Sequence, residues 1–402
     1  MKLVLSAIGS RGDVQPVAAL ALELQRRGHD VCVCVIDTFA PWMTELGLPH
    51  VTFDLDITHV LRNLGGGMRG LSEVTRWMSQ AVDEQVEVFT RQCEGADALI
   101  TGSLELVAAS IAEHFRIPHH RMMYAPYVPG PLPPPLFRWQ RLPGVINRGL
   151  WGLIQTSTEA LSHKPIAAAR QALGLPAVRS ALRQSEGYSW SMLAIDPALA
   201  PAPDDGWGEQ YSQTGYCVLE QSDELPADLV EFLEAGEEPI YIGFGSMLEE
   251  QPDEFGRMLA EVSERLGRRM VLGVGQHSFG DLPERIFPLG DASHQALFRR
   301  VAAVVHHGGS GTTHTAAHAG APQLLVPHGV DQFYWGERVR VLGLGPRPLP
   351  SKQLGVDRLT GSLEQLLGDD GYRARAEEVA GSMLGNAGIV NAANWIEKTR
   401  LR

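Results

Sequence analysis

The stretch that most constrains this chain runs from Val304 to Gln332, VVHHGGSGTTHTAAHAGAPQLLVPHGVDQ. It predicts a buried strand over Val301–Val305, a polar glycine-rich turn from His306 to Thr312, a helix, and a second apolar strand over Gln323–Val326. A strand-to-helix turn carrying Gly308, Gly309 and Gly311 lets the backbone approach a ligand closely. It also points the free N–H groups of the helix start, and the positive end of its dipole, at whatever sits there. An anion suits that place. His306, Ser310, Thr312 and Thr313 add side-chain donors, enough for a diphosphate; the plainer alternative is a turn needed only for tight packing. Asp331 and Gln332 follow the second strand, where an open α/β sheet places its ligand crevice.

The amino terminus repeats the theme. Lys2–Ile8 reads as a buried parallel strand, Gly9–Pro16 as the loop it feeds, and Pro16 as the opening of a helix through Val17, Leu20, Leu22 and Leu24 that Gly28 closes. With a strand over Val31–Ile36 this makes one βαβ unit, the start of a doubly wound domain. In the loop GSRGDVQP, Ser10 and Arg11 can reach a phosphate. Asp13 sits at the mouth of the crevice, where a carboxylate can take a proton from a hydroxyl nucleophile. It can equally cap the helix that follows. The later half mirrors this pattern: a strand over Pro239–Phe244, a turn with Gly243, Gly245 and Ser246, a helix over Pro252–Leu266 and a strand over Arg269–Val274. Ser246 is placed to donate to the diphosphate from the side opposite the His306 turn. Between the halves, Pro197–Asp223 has little periodicity apart from one expected strand, Tyr211–Val218, and reads as the crossing between domains.

Composition narrows the partners. A chain of 402 residues is long enough for two sizeable cores, and a net charge of −13 argues against nucleic acid, which favours a basic face. The four cysteines, Cys32, Cys34, Cys93 and Cys217, show no CxxC spacing and no paired framework, which fits a reducing cytoplasm. The amino-terminal apolar run is too short for a signal peptide, and no apolar stretch is long enough to span a bilayer.

Several apolar residues of the first half are candidates for the wall of a pocket for a bulky apolar ligand. Trp77 belongs to an apolar helix after the loop Gly65–Gly70, and Met123, Tyr124 and Tyr127 close the strand expected over Ile117–Tyr124; ordinary core packing is the competing role for each. Ser103 and Glu105 follow a short strand over Ala98–Ile100 and are placed to line the crevice. Phe137–Ile154, with Trp139, Trp151, Arg138, Arg141 and Arg148, has the make-up of a peripheral membrane patch, or of a solvent-facing helix packed on a sheet.

HHGGSGTTH followed by AGAPQLLVPHGVDQFYWGERV, together with GSRGDVQP and GFGSM, resembles the nucleotide-sugar signature of GT-B glycosyltransferases. Within them it is similar to the family 1 branch of bacterial antibiotic, natural-product and sterol glycosyltransferases. The resemblance implies an α/β GT-B fold, two doubly wound Rossmann-like domains facing a central cleft. Residues 1–204 would form the acceptor-binding domain, 205–235 the linker, 236–385 the nucleotide-sugar-binding domain, and 386–402 a helix returning to the first domain. It implies a metal-independent, inverting hexosyltransferase without a cofactor. The enzyme would move a sugar from a UDP- or dTDP-linked donor to a hydroxyl of a bulky hydrophobic acceptor, such as a natural-product aglycone or a sterol.

In that scheme Asp13 is the general base, where other family 1 enzymes carry a histidine. Ser10, Arg11, Ser246, His306, Gly308, Gly309, Ser310, Gly311 and Thr312 hold the diphosphate, Asp331 and Gln332 the sugar, and Leu289 and His294 the nucleobase. Members that read the ribose with an acid place Glu eight residues after the leading histidine. Here that position is His314, which leaves the choice between UDP and dTDP open. A nicotinamide dehydrogenase would also be doubly wound, but the first strand-loop lacks its GxGxxG spacing. An epimerase of the same architecture, and a non-catalytic glycosyltransferase-like helper protein, remain as rivals. The oligomeric state, monomer or dimer, is left open.

Overall fold

The computed structural model describes residues 1–56, 67–200, 202, 208–220, 223–245, 252–275 and 279–399. The first half contains β1 (Lys2–Ala7), α1 (Arg11–Arg26), β2 (Asp30–Ile36), α2 (Ala40–Glu45), β3 (His50–Phe53), α3 (Gly67–Gln92), β4 (Ala98–Thr101), α4 (Ala108–Phe115), β5 (His119–Met123), α5 (Gly144–Ala172), α6 (Ala181–Tyr188), β6 (Ser189–Leu193) and β7 (Tyr211–Gln213). The second contains α7 (Ala227–Glu234), β8 (Ile240–Gly243), α8 (Pro252–Leu266), β9 (Met270–Gly273), β10 (Ile286–Leu289), α9 (His294–Leu297), β11 (Ala303–His306), α10 (Ser310–His318), β12 (Gln323–Leu325), α11 (Gln332–Leu342), α12 (Val356–Leu367), α13 (Asp370–Ser382) and α14 (Ala387–Lys398).

Among the described residues the strands form two sheets, one of seven in the order β3-β2-β1-β4-β5-β6-β7 and one of five in the order β10-β9-β8-β11-β12. All pairings are parallel, with Leu5 opposite both Val33 and Ile100 in the first sheet and His306 opposite Gly243 in the second. Helices cover both faces of such sheets, which is why the central strands are apolar runs rather than alternating ones. In each sheet the strand order reverses once, between β1 and β4 and between β8 and β11. The loops leaving those strands diverge, and the gap between them is where this architecture holds a ligand. These are two Rossmann-like domains of the GT-B type.

Three local expectations needed correction. The first helix begins at Arg11 rather than at Pro16, so Pro16 lies inside it and deprives the Gly12 carbonyl of its helical donor. The strand expected over Tyr211–Val218 is limited to Tyr211–Gln213, which pairs with β6 as the edge of the first sheet. Of the expected loop Gly65–Gly70, Gly65 and Gly66 lie outside the described residues, and the backbone from Gly67 onward is helical.

Among the described residues, two apolar clusters tie the halves together. Ala392, Ala393 and Ile396 of α14 share a core with Val17, Leu20 and Leu24 of α1, and Arg27 of the first half meets Glu397 at 2.9 Å and Asn394 at 2.8 Å. A separate apolar cluster draws Met123, Leu193 and Ile195 from the first half and Leu325, Trp335 and Val339 from the second. At its edge the Asp196 N–H donates to His314 Nε2 at 3.1 Å, and Arg338 donates to the Leu199 carbonyl at 2.8 Å.

Candidate active site

The first wall is built by the turn between β1 and α1. Gly9 has φ +155°, and a side chain there would strike the Asp13 carboxylate, its Cβ falling 2.3 Å from Oδ2. Only glycine lets the chain fold that tightly. The Ser10 N–H and hydroxyl both donate to Asp13 Oδ2, at 2.7 and 2.9 Å. The capping and catalytic readings of Asp13 are therefore compatible, because the carboxylate that closes the helix start also stands at the crevice. Burial pushes its pKa up from the usual aspartate value, with the Ser10 bonds opposing. A carboxylate held less acidic than usual is a better proton acceptor near neutrality.

Below it, from the far side of the sheet reversal, comes Glu105. It accepts from the Ile8 N–H at 2.8 Å and the Ser6 hydroxyl at 3.0 Å, so it props up the loop that carries Asp13. Burial first, and the Asp13 charge last, push its pKa to about 7. Ser103 is exposed at the same loop.

The second wall is the turn between β11 and α10. Gly309 is the N-cap residue of α10 and no side chain caps it, so the first-turn N–H groups point outward with the positive end of the helix dipole. Gly308 has φ +96°, and a Cβ there would fall 3.1 Å from the Gln332 carbonyl oxygen. The structure corrects the role given to His306. Its ring is fully buried, with Nε2 2.9 Å from Gln323 Oε1 and Nδ1 accepting from the Gly308 N–H at 3.1 Å. Both nitrogens are spent inside the protein, so His306 shapes the turn rather than facing a ligand. The next residue, His307, is the one turned toward the glycines: a Cβ on Gly309 would meet its Nε2 at 2.6 Å and one on Gly245 its Cε1 at 3.8 Å. Its Nδ1 has no hydrogen-bond partner among the described residues, and burial lowers its pKa to about 4, keeping it neutral. Sequence reading missed His307, because two adjacent histidines at the end of a strand buried on both faces give no parity signal.

The remaining donors divide in the same way. Thr312 is partly exposed at the helix start, whereas Thr313 is buried and donates to the Gly309 carbonyl at 2.9 Å. Ser310 is buried with its hydroxyl 3.4 Å from His314 Nδ1, and a Cβ on Gly311 would lie 2.9 Å from the Tyr216 hydroxyl. His314 itself faces Asp196 rather than the open turn, stacked on Tyr216 with centroids 4.4 Å apart. Ser246 lies outside the described residues.

After β12 the chain passes Val330, whose φ of +52° is an outlier for a β-branched residue. That strained step delivers Asp331 as the N-cap residue of α11. Burial and then the Asp13 charge raise Asp331 to about 7, so the two carboxylates sense each other across the gap. The phenol of Tyr127 is raised by burial and then by both of them, and its ring packs against the cluster that joins the halves. Gln332 is buried, and its side-chain oxygen accepts from the His328 and Gly329 N–H groups at 2.7 and 3.1 Å. It thus braces the loop that presents Asp331.

Other predicted residues lie nearer the rim or the core. Arg11 reaches across to Asp291 at 3.2 Å, with its guanidinium over the Trp42 ring, rather than into the glycine turn. His294 follows Asp291; its Nε2 lies 3.0 Å from the Tyr241 hydroxyl and its ring stacks on Phe298. The Leu289 side chain is buried in the core and its carbonyl accepts from Val274, so Leu289 is a framework residue. Met123 is likewise buried, in the cluster joining the halves. The Tyr124 hydroxyl donates to the Asp13 main-chain carbonyl at 2.9 Å, a brace rather than an open wall. Trp77 is half-buried on α3 and lines a cavity with Asp54, Asp56, Asp83 and Glu84. Among the described residues no group of His, Cys, Asp and Glu is arranged to hold a metal ion.

Residues 3–128 match the glycosyltransferase family 28 N-terminal domain, and residues 270–394 match the erythromycin biosynthesis protein CIII-like C-terminal domain. The chain belongs to the glycosyltransferases. It is 35% identical to glycosyltransferase GtfE of Amycolatopsis orientalis, over 96% of this chain and 94% of that protein. It is 31% identical to the sterol 3-beta-glucosyltransferase UGT80A2 of Arabidopsis thaliana, over 98% of this chain and 64% of that one. Among solved structures, the fold matches the glycotransferase of kitacinnamycin with a TM-score of 0.76 at 21% identity, covering 99% and 98% of the two chains. It also matches the glycosyltransferase VinC, solved in complex with DTDP, with a TM-score of 0.69 at 19% identity, covering 98% and 99%.

Proposed function

We propose that the protein transfers a sugar from a UDP- or dTDP-linked donor to a hydroxyl of a bulky hydrophobic acceptor, with inversion at the sugar C1 and Asp13 as general base. The observation that carries this reading is the pairing of two walls: a carboxyl of raised pKa at the start of α1, and the uncapped start of α10 opposite it. The acceptor hydroxyl gives its proton to Asp13 as its oxygen attacks C1, and the bond from C1 to the diphosphate oxygen breaks. The departing diphosphate gains charge where the α10 amides, Thr312 and His307 converge, and these donors supply the stabilisation that a metal ion gives elsewhere. Asp331, presented by Val330 and Gln332, holds sugar hydroxyls. The proposed domain division is that of the notional cleft: 1–204 for the acceptor, 236–385 for the donor, a linker over 205–235, and 386–402 returning to the first domain.

The relatives support the acceptor class. One is named a vancomycin aglycone glucosyltransferase and is 34% identical over 98% of this chain, and another is the sterol enzyme described above. The two names describe glucose transfer to the vancomycin aglycone and to a sterol. The deciding measurement offers one UDP-sugar and one dTDP-deoxysugar with a library of hydrophobic acceptors and reads glycoside formation by mass shift and anomeric configuration by NMR. A β-glycoside from an α-linked donor is the expected product. Epimerised donor without glycoside, or no turnover with any donor, overturns the proposal.

A further inference from the structure

Among the described residues, six of the eleven large apolar side chains left open to solvent fall in one stretch: Leu132, Leu136, Trp139, Val145, Ile146 and Leu153. The first turns of α5 explain how. Asn147 and Trp151 face inward, where Asn147 Nδ2 donates to the Pro131 and Leu142 carbonyls and Trp151 Nε1 to the Leu132 carbonyl. Helical spacing then sends Val145, Ile146 and Leu153 to the opposite side, with Arg148 on its flank. Gly149 and Gly152 lie among them without a neighbour near their missing Cβ, so the larger side chains stand proud. Val145 is 73% exposed, Leu153 58% and Trp139 60%.

The charge of the stretch is as unusual as its hydrophobicity. The chain carries a net charge of −13, yet no acidic residue occurs between Glu113 and Glu159, an interval holding Arg116, Arg121, Arg138, Arg141 and Arg148. Arg138 and Arg148 are exposed beside the apolar side chains. Arg141 pairs with Glu337 at 2.8 Å on α11, the helix whose N-cap residue is Asp331, so this face adjoins the rim of the cleft.

We propose that this face docks reversibly on an anionic lipid surface. Trp139, Val145, Ile146 and Leu153 enter the boundary between headgroups and acyl chains, while Arg138 and Arg148 meet lipid phosphates. The charge pattern selects this occupant over a second copy of the chain, because a twofold interface here sets arginines against arginines. The attachment is peripheral: among the described residues no helix is long and apolar enough to cross a membrane. A docked molecule brings its cleft rim to the bilayer surface, where a hydrophobic acceptor is concentrated.

The test is co-sedimentation of the full chain with vesicles of phosphatidylcholine alone and of phosphatidylcholine mixed with phosphatidylglycerol, at low and high salt. Wild type should pellet with the mixed vesicles, and salt should weaken the binding. Arg148→Glu should weaken it by about fivefold on the anionic vesicles, and Leu153→Asp by more than about tenfold. Circular dichroism and nucleotide binding should be unchanged in both. If Leu153→Asp does not fold, Trp139→Ala together with Arg148→Glu carries the same comparison. Wild type that stays in the supernatant with anionic vesicles, variants that pellet as well as wild type, or a solution dimer split by Leu153→Asp would each overturn the proposal.

Discussion

The hydroxyl of Tyr124, one residue past β5, donates to the main-chain carbonyl of Asp13 at 2.9 Å. The candidate base is thus held from two directions, its carboxylate by Ser10 and its backbone by a phenol two strands away in the sheet. Tyr124→Phe removes the second hold, along with the hydroxyl's 3.2 Å contact to Met122 Sδ. It should lower kcat by about threefold to tenfold and cost about 1 kcal/mol of stability, with donor affinity unchanged. A variant with wild-type kcat would show that the brace does not set the position of the base.

Asp13→Asn keeps the shape and both Ser10 donors' neighbour while removing the proton acceptor. Turnover should fall by about 10²–10⁴-fold, and calorimetry should find nucleotide affinity within error of wild type. Unchanged turnover would leave Asp13 as a helix cap alone.

The two adjacent histidines should separate cleanly. His307→Ala should weaken nucleoside diphosphate binding by about tenfold or more, the loss of one hydrogen bond to a charged group, with the melting temperature hardly moved. His306→Ala should instead destabilise the protein by about 1–3 kcal/mol, because it leaves Gln323 Oε1 and the Gly308 N–H without their partner in the core. Reversed effects would put the wrong ring at the turn.

Acid should unfold this protein through its buried imidazoles. His119, His120 and His306 are lowered to about 3, and His294, His307 and His314 to about 4, in every case by burial first. A histidine of depressed pKa contributes stability that is complete above its unfolded value and lost as pH falls toward the folded one. The buried carboxyls act with the opposite sign: Glu105 and Asp331 are raised to about 7, and burial also raises Asp13 and Glu186, so their contribution is present at low pH and lost as they ionise. Six groups outweigh four, so the melting temperature should drop as pH falls below about 6.5. A melting temperature that holds steady or rises on acidification would contradict this.

Much of the fold could be read directly, because its central strands are aliphatic runs between glycine turns: Lys2–Ala7, Met270–Gly273 and Gln323–Leu325 all sit where the pattern put them. Helix Pro252–Leu266 was legible to the residue, since its strong apolar stripe starts at a proline. The long helix Gly144–Ala172 was not, as it carries Pro165 and glycines and packs only part of its length. The edge strands β3 and β7 are short and partly polar, with little to distinguish them from loops. At the site, the glycines and Asp13 were legible because they solve a local backbone problem. The roles of Gln332, Tyr124 and His314 were not, because each depends on a partner distant in sequence or on a loop whose path only the fold defines.

The cluster around Trp335 sets how the molecule can open. Its members come from both halves, so pulling the halves straight apart would wet Met123, Leu193 and Leu325 together, at a cost of several kcal/mol by area alone. Any breathing that admits a substrate must therefore roll about this dry spine, as covers turn on a bookbinding.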